Sequence, residues 1–323
     1  MSSDVRPDLA ALLERLARTQ DEVRTEAAAK RHAKGYRTAR ENLADLVDPD
    51  SFVEYGQLAV AAQRKRRDYE DLQVNTAADA VITGVATIIR DQFGKDSSRA
   101  AVVVYEFAVL AGTKGFFHHQ MRDRILDLAV EWKLPVIMFT EGGGGRPGDT
   151  DVTTAIAGLD LTTFSVWARL SGLVPRIAVN NGYCFAGNAA LFGCADITIA
   201  TRNSWIGMAG PAMIEGGGLG VYKPTEIGPI DVQENNGVVD IVAEDEAHAT
   251  ALAKKCMGYF QGVLDEWCST DQDALRDMVP ENRRRSYPVR RIIETLADED
   301  SFMELRPAYG QCVVTGFLRL EGR

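Results

Sequence analysis

The spacing of hydrophobic residues changes along the chain and separates two kinds of predicted structure. In residues 7–47, leucine and alanine recur at every third or fourth position between charged residues, which is typical of helices that bury one face. From about residue 80 the chain instead carries short apolar runs rich in β-branched residues, at 81–89, 101–109, 134–140, 176–179 and 196–200. Runs that are apolar throughout predict strands covered on both faces.

Stretches with helical spacing lie between and after these runs, at 114–132, 151–172, 186–193 and 243–279. Short apolar strands that alternate with helices predict an α/β core, with helices on both faces of a sheet. The earlier helical residues predict an outer arm. The charged run at 64–71 predicts a solvated loop, or a mobile loop that gates a ligand, and residues 281–285 predict a linker.

A short segment occurs twice in the chain. Residues 46–54 (LVDPDSFVE) and residues 296–304 (LADEDSFME) agree at six of nine positions, 250 residues apart. The agreement continues between residues 81–84 and residues 313–316, now 232 residues apart, so the first copy holds about 18 extra residues. Self-similarity at a long offset indicates a duplicated module.

The repeat divides the chain into three predicted parts: a helical arm and entry segment (1–75), an α/β domain (76–280), and a linker with the truncated start of a second such domain (281–323). A strand without partners at the end of the chain would leave backbone groups unpaired and apolar surface exposed. We therefore expect the natural chain to be longer, or a second chain to supply the remainder.

The charge of the chain excludes two classes of partner. Among 323 residues, 36 are basic and 46 acidic, which gives a net charge of −10. Nucleic-acid binding needs concentrated Lys and Arg, and an anionic membrane surface repels an acidic protein. We expect neither partner, although a small basic pocket for a phosphorylated ligand remains compatible with this charge.

The five cysteines include no C-x-x-C pair, so the sequence predicts no zinc or haem site and no other metal. Free thiols are typical of a reducing compartment. The first residues are charged rather than apolar, and no run approaches the ~20 apolar residues of a membrane-spanning helix. We expect a cytoplasmic protein, or one of the mitochondrial matrix in a eukaryote.

Three glycine-rich segments are candidates for ligand contact: residues 142–146 (GGGGR), 182–190 (GYCFAGNAA) and 210–220 (GPAMIEGGGLG). Glycine and alanine let the backbone approach a ligand closely, and small residues at a helix start let N–H groups meet an anion. Each segment alone would also fit a flexible loop or a cluster of small residues that packs helices.

In these glycine-rich segments and several others, the chain resembles the carboxyltransferase (β) subunit of biotin-dependent acyl-CoA carboxylases. The resemblance is to the propionyl-CoA and methylcrotonyl-CoA type, which belongs to the crotonase superfamily. The resemblance covers nearly the whole chain. It is carried by residues 30–35 (KRHAKG), 38–41 (TARE), 50–54 (DSFVE), 106–115 (EFAVLAGTKG), 142–146, 182–189 and 208–211 (MAGP), and residues 302–323 resemble the start of the family's second domain. The chain departs from the family at Gly142, at Phe185 and in residues 147–149, which bears on the acyl group more than on the reaction.

The resemblance implies a crotonase-like α/β fold, a spiral of ββα units preceded by a helical arm. It implies the carboxyltransferase component of an acyl-CoA carboxylase, which transfers CO2 from carboxybiotin to the α-carbon of an acyl-CoA thioester through an enolate. Biotin would arrive on a carrier domain of a partner, a biotin carboxylase or biotin carboxyl carrier subunit. The full-length chain would form a homo-oligomer, a hexamer built from dimers.

In this family biotin itself takes the α-proton, so the resemblance implies backbone oxyanion holes rather than a side-chain base. The sequence agrees, since it contains neither G-x-S-x-G nor H-E-x-x-H. The implied oxyanion donors are Ala186, Gly187, Ala111 and Gly112. The implied substrate contacts are Gly143, Gly144, Phe185, Gly210 and Pro211, with Arg146 and Lys114 at the CoA phosphates. Helix packing, a turn or a solvated surface charge would explain the same residues without a site.

Three other functions stay open. A biotin-dependent acyl-CoA decarboxylase of the same family would run the transfer in reverse. A crotonase-type hydratase would need positioned glutamates, and it would leave the arm and the repeat unexplained. The third possibility is that the chain is an inactive half that binds acyl-CoA. An activity assay with an added second domain would distinguish this possibility from the others.

Overall fold

The computed structural model describes residues 5–152 and 161–323. Over these residues the chain forms a seven-stranded sheet and a two-stranded hairpin. The sheet strands are β1 (Val53–Tyr55), β2 (Val81–Thr87), β3 (Arg99–Tyr105), β4 (Val136–Phe139), β5 (Arg176–Phe185), β6 (Ile197–Gly207) and β7 (Ile241–Ala243), and the hairpin strands are β8 (Met303–Leu305) and β9 (Thr315–Phe317).

Helices precede the sheet, connect its strands and follow it. They are α1 (Pro7–Ala17), α2 (Thr25–His32), α3 (Ala39–Leu46), α4 (Tyr69–Asn75), α5 (Arg90–Phe93), α6 (Phe116–Trp132), α7 (Thr163–Arg169), α8 (Gly187–Gly193), α9 (Pro211–Gly216), α10 (Ile230–Asn235), α11 (Glu246–Gly258), α12 (Leu275–Met278) and α13 (Val289–Leu296). No helix in the described parts of the chain has the length and apolar character needed to cross a membrane.

The order of strands in the sheet follows the chain, from β1 to β7. β1, β2 and β3 pair antiparallel, whereas each later pair, from β3 to β7, is parallel. The carboxyl ends of β3, β4, β5 and β6 therefore share one edge of the sheet. Loops that leave these ends meet at that edge, which is where ligands bind in open parallel sheets.

The strands bury both of their faces. Val102 of β3 packs on one face with α3 and α11, through side chains such as Leu43. The next residue, Val103, packs on the other face with α6 and α7, through Ile125 and Trp167. This alternation follows from the two-residue period of a strand. Both layers are apolar, which explains why the strands appear in the sequence as continuous apolar runs.

The α/β core predicted from the sequence is confirmed, with the five apolar runs as β2 to β6. The arm is helical, as predicted, but it divides into α1, α2 and α3. Thr38 begins α3 with a capping box, in which its side chain accepts from the N–H of Glu41 and the Glu41 carboxylate accepts from the N–H of Thr38. A helix that starts anew at this cap cannot be continuous with α2.

Three other predicted elements differ from the structure. The helix predicted over 243–279 is observed only as α11 and the short α12, and tertiary hydrogen bonds hold residues between them: Arg319 donates to the carbonyl of Gly262, and the N–H of Leu264 donates to the carbonyl of Gly322, each at 2.9 Å. The helix predicted over 151–172 is observed as α7, while residues 153–160 lie outside the described residues. The charged run at 64–71 is a turn that leads into α4.

The two copies of the repeated segment fold alike. In β1 and β2, Glu54 pairs with Gly84, and in β8 and β9 their counterparts Glu304 and Gly316 pair in the same antiparallel register. The duplication predicted from the sequence is therefore confirmed as a repeated strand pair. The domain boundaries predicted at residues 75 and 280 stay predictions.

A helix before each strand pair completes the repeat. Arg40 of α3 forms a salt bridge with Glu54 at 3.0 Å, and Arg290 of α13 forms the equivalent bridge with Glu304 at 2.6 Å. These pairs lie 14 residues apart in both copies. Each bridge fixes the helix to the strand that follows it, so the repeated unit is helix, strand and strand.

A carboxylate also closes each unit. Asp298 accepts the N–H of Glu321 at 2.9 Å and the N–H of Gly322 at 2.7 Å, and its counterpart Asp48 accepts two N–H groups after β2 in the same way. Because the chain after β9 would otherwise leave these donors unpaired, Asp298 holds residues 318–323 against the rest of the unit.

Replacing Asp298 with alanine is expected to lower the free energy of unfolding by about 1–3 kcal/mol, because two peptide donors lose a charged acceptor. Urea denaturation measures the loss. The matched control is Glu299→Ala, which removes a neighbouring exposed carboxylate and should change stability by less than about 0.5 kcal/mol. Equal losses in the two variants would show that Asp298 does not hold this segment.

Candidate active site

Three loops meet at the carboxyl edge of the sheet, where they follow β3, β4 and β5. The N–H of Gly143, after β4, donates to the carbonyl of Ala111, after β3, at 3.0 Å. The N–H of Phe185, at the end of β5, donates to the carbonyl of Gly142 at 3.2 Å. The glycine loop (residues 142–146) therefore lies between the other two loops, and peptide hydrogen bonds join it to each.

The loops approach this closely because they lack side chains at the points of contact. Gly112 has φ +60°, and a Cβ there would lie 2.5 Å from the carbonyl oxygen of Glu141. A Cβ on Gly142 would in turn overlap the carbonyl oxygen of Gly112. Gly144, with φ +94°, leaves only 3.1 Å between an added Cβ and the methyl group of Ala186. Larger residues at these positions would separate the loops.

Two of the four peptide groups expected as oxyanion donors are already bonded. The N–H of Gly112 donates to a carbonyl in its own loop, and the N–H of Ala186 donates to a carbonyl of β6, each at 3.0 Å. The N–H groups of Ala111 and Gly187 have no acceptor among the described residues. Of the expected set, Ala111 and Gly187 therefore have N–H groups without an acceptor in the described parts of the chain, whereas the N–H groups of Gly112 and Ala186 are used within the fold, and the role of all four as oxyanion donors stays a prediction.

The backbone beside these donors is strained. Leu110, Ala111 and Ala186 have φ values of 47°, 54° and 54°, a region that residues other than glycine rarely adopt. Each such residue costs roughly 1–3 kcal/mol and persists only where its surroundings enforce it. Strain of this kind concentrates at ligand-binding sites, so the strained backbone favours a ligand-binding role for both loops.

Lys114 extends into the site rather than out to solvent. The residue is 4% exposed, and a Cβ on Gly187 would overlap its Nζ. The ammonium lies 5.8 Å from the ring centre of Phe164, and it forms no ion pair with a carboxylate in the described parts of the chain. Burial, together with the nearby charge of Arg122, lowers the pKa of Lys114 to about 7. A position this deep does not fit the expected contact with CoA phosphates.

Arg146 is buried as well, and its donors are occupied. Its guanidinium pairs with Asp79, lies 3.5 Å from Asp149, and donates to the carbonyl of Thr113 at 2.6 Å and to its hydroxyl at 3.3 Å. Burial raises the pKa of Asp79 to about 6, although Arg146 acts in the opposite direction. Arg146 therefore fixes the glycine loop to its neighbours, which corrects the expectation that it binds a CoA phosphate.

A second buried pair joins the helical arm to the site. Arg31 of α2 donates from both of its terminal nitrogens to the carboxylate of Glu141, at 3.0 and 2.8 Å, and its guanidinium lies over the rings of Tyr36 and Phe107. Burial is the main reason that the pKa of Glu141 is raised, to about 7. Because Glu141 precedes Gly142, this pair positions the start of the glycine loop. The sequence contained only an indirect signal for it, the position of Arg31 inside the KRHAKG segment.

The remaining expected substrate contacts lie beside the loops. Phe185 is buried, and an added Cβ on Gly210 would lie 3.6 Å from its ring, so the segment before α9 packs on Phe185. Pro211 begins α9. Gly143 is exposed and Gly144 is buried between the loops. The structure thus brings Gly143, Gly144 and Phe185 together with the two donors, while Gly210 adjoins them through Phe185.

Nearby histidine and cysteine side chains offer no nucleophile or base. Burial lowers the pKa of His119 to about 3 and that of His118 well below its usual value, so both rings stay neutral. Burial raises the pKa of the Cys184 thiol to about 12. These groups pack the interior of the site.

A cleft of about 920 Å³ opens beside the glycine loop. Five basic side chains and the acidic Glu26 line it, the basic ones being Arg18, Arg24, Lys30, Arg31 and Lys34, of which Lys34 is exposed and forms no ion pair among the described residues. Its inner wall holds Phe107 and Ala108 before the Ala111 loop, Glu141 before the glycine loop and Tyr183 of β5. The cleft therefore leads from a positively charged surface to the three loops. Sequence analysis did not identify it, because its cations come from the arm.

Comparisons with known proteins agree with this arrangement. Residues 30–323 match the carboxyl transferase domain family. The methylmalonyl-CoA carboxyltransferase 12S subunit of Propionibacterium freudenreichii subsp. shermanii is 28% identical over 305 residues, which cover 91% of this chain and 55% of that protein. The propionyl-CoA carboxylase beta chain of Saccharopolyspora erythraea is 28% identical over 315 residues, which cover 92% of this chain and 55% of that protein.

A solved structure gives a stronger match. The structure of a single-chain, multi-domain long-chain acyl-CoA carboxylase is 56% identical, with a TM-score of 0.94, and the match covers 98% of this chain and 31% of that one. The likeness confirms the crotonase-like fold that the sequence resemblance implied. The chain spans about half the length of the curated relatives it matches.

Replacing Gly112 with alanine is expected to destabilise the protein by about 1–3 kcal/mol, because the new methyl group would press on the backbone of Glu141 in a strained conformation. Urea denaturation measures the change. Gly193→Ala is the control, since a Cβ there meets no atom within 4 Å and should be neutral or stabilising. A neutral Gly112→Ala variant would mean that the loops do not need this close contact.

Proposed function

The chain belongs to the carboxyl transferase domain family, and from this premise we propose that it holds the acyl-CoA thioester in a carboxyltransferase site. The reaction transfers a carboxyl group from carboxybiotin to the α-carbon of the acyl group. The observation that carries the proposal is the pair of unbonded peptide donors, Ala111 and Gly187, on either side of the glycine loop.

The two donors suit the charge that develops in this reaction. When the α-carbon loses its proton, the electron pair moves onto the thioester oxygen and forms an enolate. N–H groups that already point at that oxygen stabilise the negative charge without reorganising, and the loss of one such donor typically costs about 10²–10³ in rate. Since Gly187 has no side chain and Ala111 only a methyl group, the thioester can approach both.

Biotin, when a carrier delivers it, supplies the carboxyl group and accepts the α-proton. The residues on the open side of the glycine loop fit such a group, because Gly143 and Gly145 are exposed and a Cβ on Gly145 would meet no atom within 4 Å. We assign this side to biotin, which leaves the opposite side to the acyl chain and CoA.

We assign the basic cleft to CoA. Lys34 is exposed and forms no ion pair among the described residues, so its ammonium is available to a phosphate. Lys30 and Arg18 line the same cleft, where they pair with Glu26 at 3.0 Å and with Glu14 at 2.7 Å. Because the inner wall of the cleft adjoins the glycine loop, CoA bound there would direct its thioester to the two donors. These cations replace Arg146 and Lys114 as the proposed phosphate contacts.

The acyl group that we propose is a long chain. The structure at 56% identity is named as a long-chain acyl-CoA carboxylase, whereas the relatives named for methylmalonyl-CoA and propionyl-CoA are only 28% identical. We also propose a biotin carboxylase with a biotin carboxyl carrier as partner, homo-oligomers, and a cytoplasmic location.

Replacing Gly187 with valine is expected to lower the rate of carboxyl transfer by about 10²–10³, because the branched side chain would overlap the Nζ of Lys114 and the ring of Phe164 and so displace the peptide donor of residue 187. Incorporation of radiolabelled bicarbonate into acyl-CoA, by the protein assembled with its biotin-carrying partner, measures the rate. The Gly193→Ala variant is the control and should keep the wild-type rate. An unimpaired Gly187→Val enzyme would remove these donors from the proposed mechanism.

Replacing Lys34 with methionine is expected to weaken binding of acyl-CoA about two- to fivefold, the effect of one partly exposed ion pair. Titration calorimetry at low and high salt measures the affinity, and the difference should shrink as salt screens the pair. Lys95→Met, at an exposed lysine remote from the cleft, should bind like the wild type. Equal affinities for all three proteins at low salt would place CoA elsewhere.

A further inference from the structure

Lys114 is a buried cation whose counter-charge is missing from the described residues. Its main chain is fully engaged, because its N–H donates to the carbonyl of Gly144 at 2.8 Å and its carbonyl accepts the N–H of Arg146 at 2.9 Å. Its ammonium has neither a carboxylate nor a hydrogen-bond acceptor in the described parts of the chain. A buried charge without a partner is strongly unfavourable, so such a group commonly serves a ligand.

The other cations of the site each pair with a carboxylate, unlike Lys114 in the described parts of the chain. Arg31 pairs with Glu141, Arg146 with Asp79 and Asp149. Arg122, which is fully buried, pairs with Asp123 at 3.4 Å and donates to the hydroxyl of Tyr105 at 2.9 Å. The carboxylates near Lys114 are thus committed to arginines, and none of them pairs with its ammonium.

The position of the ammonium indicates which anion. Nζ lies against the α-carbon of Gly187, and Phe164 covers the same point. In the proposed function the N–H of Gly187 binds the thioester oxygen. A carboxyl group on the α-carbon of the thioester is only two bonds from the carbonyl carbon, so it would lie within reach of the ammonium of Lys114.

We propose that Lys114 is the anion site of the acyl pocket, where its ammonium pairs with the carboxylate on the α-carbon of a carboxylated acyl-CoA. This assignment rests on the proposed function, and it goes further by naming the side chain that distinguishes a carboxylated thioester from an uncarboxylated one. The uncarboxylated thioester brings no charge to Lys114 and gains nothing from it.

Among the groups that face one another here, Lys114 is the one whose protonation changes when this ligand binds. The groups that face it are Arg122, Asp123, His118 and His119 of α6, Arg146 of the glycine loop and Cys184 of β5. Both histidines stay neutral and the thiol stays protonated near pH 7. Glu141, whose pKa burial raises to about 7, is paired with Arg31 and faces the cleft.

The test is calorimetric binding of a matched pair of ligands, octanoyl-CoA and 2-carboxyoctanoyl-CoA, to the 323-residue protein. At pH 6.5 the wild type should bind the carboxylated thioester at least about tenfold more tightly, because a desolvated charge pair is strong. Lys114→Met should lose this preference and keep the affinity for octanoyl-CoA. Lys95→Met, the control, should keep both affinities.

The same titrations at pH 8 measure whether Lys114 takes up a proton when the ligand binds. The pKa of free Lys114 is about 7, so most of the side chains are neutral at pH 8, and pairing with a carboxylate raises the pKa. Binding of the carboxylated ligand should then take up about one proton, measured from the heat in buffers of different ionisation enthalpy. At pH 6 the uptake should vanish, and in Lys114→Met it should be absent at both pH values.

The stability of the ligand-free protein separates this role from a structural one. Between the folded pKa near 7 and the unfolded value of about 10.4, only the unfolded chain holds the Lys114 proton, so wild-type stability rises with pH in that window. Lys114→Met should therefore raise the melting temperature at pH 6 and have less effect at pH 9.

Three results would overturn the inference: a retained preference for the carboxylated ligand in Lys114→Met, proton uptake that persists in that variant, or a lower melting temperature at pH 6. If the wild type did not bind octanoyl-CoA, the proposed function itself would be overturned, and the inference with it.

Discussion

Direct contact between the backbones of three loops is the constraint on which the site depends. Parallel strands place the ends of β3, β4 and β5 about 4.8 Å apart, so the loops that leave them must pass within one strand spacing of each other. Gly112 and Gly142 allow that passage because neither carries a Cβ. The same lack of side chains leaves two peptide N–H groups open to a ligand. Close packing of the loops and access to the donors therefore have one cause.

The site concentrates buried charge, and most of that charge is in ion pairs. Arg31, Arg122 and Arg146 pair with carboxylates near the glycine loop, whereas Lys114 has no carboxylate partner among the described residues. A desolvated cation acts on an anion much more strongly than a surface cation does. In the proposed function, Lys114 is therefore the buried cation that an anionic substrate would meet, and the exposed Lys34 is the surface cation for phosphates.

The sequence allowed the fold and the position of the site to be predicted, for physical reasons that apply to particular residues. Strands buried on both faces leave continuous apolar runs, and a loop that contacts other backbones leaves a run of glycines such as 142–145. Both signals are local. The repeat was also visible, since the pairing of Glu54 with Gly84 and of Glu304 with Gly316 depends on residues that both copies kept.

The roles of individual residues depended on contacts that are distant in sequence. In the sequence, Ala186 and Gly187 are equivalent candidates for a peptide donor. Only the fold shows that the N–H of Ala186 already donates to a carbonyl of β6. Charged residues are seldom fully buried, so Arg146 and Lys114 were expected at CoA phosphates or in solvent rather than in the interior. The partner of Glu141 is Arg31, 110 residues away, and no local pattern links the two.

The central claim is that the peptide groups of Ala111 and Gly187 polarise a thioester oxygen. Infrared difference spectroscopy of an acyl-CoA labelled with ¹³C at the thioester carbonyl measures this polarisation directly. The account predicts that the carbonyl stretch of the bound thioester shifts to lower frequency than in water, and that Gly187→Val reverses most of the shift. A bound thioester that absorbs at its solution frequency in the wild type would contradict the account.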